Sequence, residues 1–273
     1  MNYTIIESNG LLTELGIRLS KLGHSVTTLP ISPSSTILST KPDIVLFESA
    51  ENGKTAESLI KQGVRVLFSS IWASTINTNK EYKKSFLIAC GLNFKDSPQI
   101  NETYLDAWFN GNKFSCITKW EPMLRVGAET LTALLGESLS TKHEYYTDYL
   151  KPLENGLKKQ SYRGPVGLTI SGGGFVTGIH VGITSMVSSF MEGLKTSLED
   201  FLSSMCLGTN GNVTDKFYAQ IPFTVLGDLT SDSGIRKHIW RTHNGAVATA
   251  HGTSPRECFR RIFRTLYGDM WMR

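Results

Sequence analysis

Three groups of residues have the types and spacing to do chemistry. Glu7-Ser8-Asn9-Gly10 follows the apolar run YTII and precedes a helical stretch, where backbone amides at a helix N-terminus can face an anion. Ser8 and Asn9 offer hydrogen bonds and Gly10 a bend, while Glu7 sets a negative charge where an anionic ligand would come. Polar loops expected at the same sheet edge add Ser49 and Ser70 to a candidate small-ligand site. A plain βα turn with an Asn-Gly bend fits the same residues. Near the end of the chain, Arg256, Arg260, Arg261 and Arg264 fall mainly on one side of a helical stretch, opposite Cys258, Ile262 and Leu266. With Arg236, Lys237 and Arg241 they would form a patch attractive to nucleic acid, an acidic protein or a phosphate-bearing ligand. The solvated face of an amphipathic helix is the favoured reading, because no aromatic residues interleave for base stacking. The third group is Thr169–Gly174 (TISGGG), which looks like a phosphate loop. It lacks the following Lys-Ser/Thr and lies between two strand-like runs, so a hairpin turn is expected.

The histidines and carboxylates assemble less well. His238, His243 and His251 flank Asn244-Gly245 but do not pair symmetrically about that turn, and no cysteine or carboxylate accompanies them; surface histidines are expected. His180, on an apolar run, is expected to be a hydrogen-bonded core or cleft residue and not a base. Glu121, Glu129 and Glu137 sit in a poorly patterned stretch and read as solvated. No Ser-His-Asp, Cys-His or paired-carboxylate grouping can be built from the sequence.

Composition bounds what must position these residues. The 273 residues are 40% hydrophobic and 19% charged, with 25 Gly and 9 Pro, which excludes a disordered tail and a collagen-like fibre. Such a chain buries a core without a cofactor or staple. No cofactor or metal is expected. Apolar runs such as Ile44–Phe47 are far short of a membrane span, and the first residues lack a basic and an apolar leader region, so the expectation is a cytoplasmic protein without a membrane partner. Cys90, Cys116, Cys206 and Cys258 stand singly, as reduced and mostly buried thiols would. The formal charge is +4, with a local excess of +6 in residues 236 to 273.

The first ninety residues alternate short apolar runs with helical stretches, the form of a parallel sheet covered by helices. Leu12, Leu15, Leu19 and Leu22 mark the buried stripe of the first helix. Later, Asn110-Gly111 and Asn244-Gly245 predict hairpins with type I′ turns, and Gly172–Gly174 predicts another hairpin between VGLTI and FVTGIHVGI. Helices are expected around Leu150–Lys159 and Phe190–Met205, and residues 121 to 144 show no pattern. Ser254-Pro255-Arg256-Glu257 forms a capping box opening the last helix. The fold class is therefore α/β: a Rossmann-like domain over 1–93, an α+β region over 94–215, and a β-hairpin plus helix over 216–273.

The order of these pieces resembles glycinamide ribonucleotide synthetase (phosphoribosylamine-glycine ligase), an ATP-grasp ligase. The segments GVRVLFSSIWASTINTNKEYKKSFLIACGL, YLKPLENGLKKQSYRGPVGLTISGGGFVTGIHVGI and NGAVATAHGTSPRECFRRIFRTLYGDMWMR carry the resemblance, which covers most of the chain with no motif intact. It implies a pre-ATP-grasp domain followed by a reduced ATP-grasp-like region, because Gly91-Leu92-Asn93-Phe94 leads almost at once into TYLDAWFNGNKF where the family has its nucleotide-clamping half. The family's Mg²⁺-holding Glu and Asn fall on Gly178 and His180, and its phosphate-steadying Arg on Gly182. Glycine offers no ligand and imidazole suits Mg²⁺ poorly. The resemblance thus implies a pseudoenzyme that binds either a small nucleotide-like molecule at the Ser8-Asn9-Gly10 edge or a protein subunit, with oligomerisation expected. The alternatives are a working ATP-dependent ligase completed by a partner, and a nucleic-acid contact through the basic helix.

Overall fold

The computed structural model describes residues 1–8, 10, 12–96, 102–125, 132–183, 198–207, 216–223, 239–242 and 245–267. Asn9, Glu129, Arg236, Lys237, His238, His243 and Asn244 lie outside the described residues, as does most of the stretch before Leu198 where a helix is expected.

The N-terminal third is the parallel sheet that the alternation predicts. Strands β1 (Asn2–Ile6), β2 (Ser25–Leu29), β3 (Ile44–Phe47) and β4 (Arg65–Leu67) take the order β2-β1-β3-β4, all parallel. Because successive side chains point to opposite faces, Ile5, Ile44 and Leu46 pack on one side with Leu12, Leu15 and Leu19 of helix α1 (Thr13–Lys21). Ile6, Val45 and Phe47 pack on the other with Ala56 and Leu59 of α3 (Gly53–Lys61), beyond the short α2 (Ser34–Ser39). Both faces are thus covered, which is why Ile44–Phe47 is apolar throughout. Leu22 departs from the expected stripe and is 48% exposed, because α1 ends at Lys21 and Gly23 (φ +87°) turns the chain away.

Helices α4 (Ile71–Thr78) and α5 (Lys80–Ala89) lead to a second sheet. Its strands are β5 (Thr103–Phe109), β6 (Phe114–Arg125), β7 (Thr132–Leu139), β8 (Gly164–Ile170), β9 (Val176–Val181), β10 (Phe217–Phe223), β11 (Ile239–Thr242) and β12 (Gly245–Gly252). They form one antiparallel sheet in the order β11-β12-β10-β7-β6-β5-β8-β9, continuous across residue 215. The fold is accordingly a mixed α/β one, a parallel sheet followed by an antiparallel sheet. One sheet face, carrying Leu105, Ile117, Leu168 and Ile179, packs on Trp72 and Ile76 of α4, Leu87 of α5, and Leu153 and Leu157 of α6 (Lys151–Leu157), which a π-helical turn at Tyr146–Leu150 introduces. The opposite face receives α7 (Leu198–Leu207), whose Phe201 meets Trp108 edge-on at 4.9 Å. Among the described residues no helix is long and apolar enough to cross a membrane.

Three expectations need correction. Residues 121 to 144 are not featureless: β6 runs to Arg125 and β7 occupies Thr132–Leu139. What makes them strands is the partner across the ladder, for example Trp120 lying against Gly136, and not local alternation. The Asn110-Gly111 hairpin forms, but Phe109 pairs with Phe114 and leaves a four-residue loop. There the Asn110 side chain accepts the Asn112 and Lys113 amides at 3.0 Å, which replaces the type I′ geometry with a side-chain-closed turn. The last hairpin also forms, with Thr242 paired to Gly245, so Gly245 belongs to β12 and not to the turn.

Candidate functional site

The chemically loaded part of the second sheet is the face opposite α4–α6. Asp106, Gly167 and His180 stand in one row across β5, β8 and β9. A bulge supports this arrangement: on β6, Cys116 and Ile117 oppose the single residue Ala107, and Cys116 takes φ +57°. Gly167 is the gap that lets the row close, since a Cβ there would overlap His180 Nε2 and lie 2.5 Å from Asp106 Oδ1. The imidazole therefore lies across β8 with Nε2 3.4 Å from Asp106 Oδ1. That separation exceeds an N–H···O hydrogen bond, and both Asp106 oxygens and His180 Nε2 are buried without a hydrogen-bond partner. Asp106 is 8% exposed and the His180 side chain 34%. Thr118, directly across from Asp106 on β6, also buries an unpartnered hydroxyl.

The two glycines flanking His180 are glycines for different reasons. At Gly178 a Cβ would meet nothing nearer than Thr169 Oγ1 at 3.5 Å, so the backbone has room for a side chain and the sequence supplies none. Gly182 has φ +100° with Ala50 3.4 Å from a would-be Cβ, and its amide donates to Tyr162 Oη at 2.9 Å; an arginine there would be strained. Asp106 and Thr118 carry no signal in the sequence. Only the register of β5, β6 and β8 brings them beside His180.

The edge of the parallel sheet holds Ser8, Gly10, Ser49 and Ser70 at the carboxyl ends of β1, β3 and β4, as expected for neighbouring parallel strands. The donors of Ser8, Leu12 and Thr13 are already engaged. The Ser8 amide donates to Glu48 Oε2 at 2.6 Å and its hydroxyl to the same oxygen at 3.1 Å. Glu7 accepts the Leu12 amide at 3.2 Å and the Thr13 hydroxyl at 3.1 Å. Gly10, at φ +76°, makes the bend. Ser49 accepts the Glu51 amide, and Ser70 is the N-cap of α4, taking the Ala73 amide at 3.1 Å. Two of the protein's own carboxylates thus occupy donors that an anion would use.

The basic helix α8 (Pro255–Tyr267) exposes Arg256, Arg260, Arg261 and Arg264 and buries Cys258 and Ile262. Ser254 caps it by accepting the Glu257 amide at 3.3 Å, while Glu257 reaches back to the Thr253 amide at 3.0 Å, one residue beyond the usual capping box. Arg261 is tied down, donating to Glu257 Oε1 at 2.6 Å and to the His251 carbonyl at 2.9 Å. The Thr253 hydrogen bonds, reinforced by Arg261, hold the Glu257 carboxyl below its ordinary range. A carboxylate with a depressed folded pKa stabilises above its unfolded pKa and loses that contribution as pH falls through the folded value. Protection of the amides in the first turn of α8, taken against an unfolded chain at the same pH, is expected to fall as pH drops below about 4.5, and in Glu257→Gln to be low already at neutral pH. Equal exchange in the two proteins at pH 7 would remove Glu257 from the cap.

Among the described residues no three His, Cys, Asp or Glu side chains converge as metal ligands. No family model and no curated protein matches this chain. Solved structures do match its fold. N5-carboxyaminoimidazole ribonucleotide synthetase from Thermus thermophilus superposes with a TM-score of 0.68 at 12% identity, over 97% of both chains. Glycinamide-RNase-transformylase T from Mycobacterium tuberculosis gives 0.62 at 13% identity, over 97% of this chain and 99% of that one. D-alanine–D-alanine ligase from Bacillus anthracis, complexed with ATP, gives 0.55 at 12% identity, over 76% of this chain and 97% of that one. These identities establish the fold alone, an ATP-grasp-like one.

Proposed function

We propose that, on this ATP-grasp-like scaffold, the chain is a pseudoenzyme relative of phosphoribosylamine-glycine ligase that works by binding and assembly. The reading rests on the floor of the second sheet. Mg²⁺ needs several hard oxygens at short range in near-octahedral geometry. Here Gly178 has room for a carboxylate and carries none, and Asp106 faces an imidazole. Among the described residues, those on this floor do not fit Mg²⁺ beside a triphosphate.

Between the two binding modes, the engagement of Ser8 by Glu48 and of Leu12 by Glu7 favours a protein partner over an anionic nucleotide at the parallel-sheet edge. A second copy of this chain is the simplest partner. Among the described residues β2 is an edge strand of the parallel sheet, and Ile17, Leu22 and Ile31 are exposed by 44%, 48% and 61%.

Calorimetric titration with ATP, with and without Mg²⁺, together with sedimentation, tests the reading. No Mg²⁺-dependent heat and an assembly larger than the monomer are expected. A Mg²⁺-dependent ATP signal would make the chain a working ligase instead. A monomer that binds DNA in a salt-sensitive manner, lost on Arg256→Glu with Arg260→Glu, would move the function to α8.

A further inference from the structure

Strand β2 leaves its outer backbone unused. The Ser25 amide donates to the Met1 carbonyl at 3.2 Å and the Leu29 carbonyl accepts the Glu7 amide at 3.0 Å, so Ser25, Thr27 and Leu29 turn their backbone groups toward β1. Val26 and Thr28 turn theirs outward, and among the described residues nothing bonds them. The edge strand β9 of the second sheet is closed instead. There the Asn77 side chain takes both the amide and the carbonyl of Val181, while Asn93 and Lys95 take those of Val176. β2 also lacks the charge, proline or bulge that ordinarily blunts an edge, since Ser25–Leu29 reads SVTTL in unbroken register with β1.

The open stretch is self-complementary. A twofold axis at Thr27 sets Val26 against Thr28 of a second copy, and each such pair exchanges both ladder hydrogen bonds because both residues face outward. An axis at Val26 would set Thr28 against His24, whose amide the Leu19 carbonyl already holds, and an axis at Thr28 would set Val26 against Pro30, which has no amide. Thr27 then faces Thr27, a favourable cross-strand pair. Charge obeys the same symmetry. On the face that carries α1, a groove of about 470 Å³ runs along β2, with Glu7 at the end where β1 finishes and Lys21 at the end where α1 finishes. Because α1 runs back against the strands, these are opposite ends, and the axis at Thr27 brings the acid of one copy toward the base of the other. Ile17, the exposed middle residue of α1, lines the groove between them.

We infer that β2 pairs antiparallel with β2 of a second copy about a twofold axis at Thr27, joining the two parallel sheets into one continuous sheet. The inference rests on the proposed function, which takes the chain to work by assembly, and it names the surface and the register of that assembly.

Sedimentation of the full chain and oxidative cross-linking of introduced cysteines test it. The parent protein is expected to sediment as a dimer, and Thr27→Lys, which sets two ammonium groups directly opposite each other, as a monomer. Thr27→Cys places two thiols across a non-hydrogen-bonded pair, whose Cα separation of about 4.5 Å suits a disulfide, and is expected to give a covalent dimer under mild oxidation. Ser25→Cys, set opposite Leu29, is expected to cross-link no faster than the parent protein. The cysteine comparison carries the test if Thr27→Lys fails to fold. A monomeric parent, a dimer that survives Thr27→Lys, or equal cross-linking of Thr27→Cys and Ser25→Cys would overturn the pairing. A Mg²⁺-dependent ATP heat from a protein that still cross-links at Thr27→Cys would overturn the proposed function alone, and a dimer that does not cross-link there would overturn the pairing alone.

Discussion

Gly53→Ala is expected to destabilise the fold by about 3 kcal/mol, read as a drop in the urea midpoint at an unchanged slope. Gly53 is the first residue of α3, and a Cβ there would lie 2.5 Å from the Ser70 carbonyl oxygen and 2.8 Å from Ile71 Cα. Those atoms are backbone, so no side chain can swing aside. Alanine favours a helix over glycine by about 1 kcal/mol, which the overlap outweighs. Ser70 also caps α4, and α4 packs on the second sheet, so the strain reaches the junction of the two sheets: the Phe68 amide bonds the Arg163 carbonyl at 2.8 Å and the Asn77 side chain bonds the Val181 carbonyl at 3.0 Å. A midpoint equal to that of the parent protein would show that the β4–α4 connection slides freely, contrary to this packing.

Alkaline pH is expected to unfold the protein through Cys116. Its side chain packs against the buried cluster that includes Trp108 and Phe201, and that burial pushes the thiol up to about 12 from an ordinary value of 9.0. A group whose folded pKa is raised stabilises fully below its unfolded pKa and loses that contribution as pH rises through the folded one. The window is therefore pH 9 to 12, and the loss is on the order of 4 kcal/mol. Tyr146, also pushed up to about 12 by burial and by its hydrogen bond to Glu154, adds in the same direction above pH 10. Urea unfolding followed from pH 8 to 12 should show falling stability, and Cys116→Ala should flatten the fall. A parallel fall in both proteins would shift the cause to the tyrosines.

How much of this was legible follows from how far each signal reaches along the chain. Ile44–Phe47, the Leu12–Leu19 stripe and the Ser254–Glu257 cap are local patterns, and the structure carries each of them. The hairpins were legible at Asn110-Gly111 and Asn244-Gly245, but the four residues between Phe109 and Phe114 and the pairing of Gly245 with Thr242 were not, because the register of the facing strands sets them. Residues 121 to 144 hid two strands, since Trp120 and Gly136 make sense only as a cross-strand pair.

The candidate site divides in the same way. The sequence alone placed His180 on a strand between two glycines, and showed that no carboxylate stands at Gly178. It could not connect Asp106, 74 positions earlier, to that histidine, nor show that Gly167 is the opening between them. That link depends on three strands lying side by side in one register. Spacing within a strand is written in neighbouring residues, whereas contact across a sheet is decided only when distant segments pair.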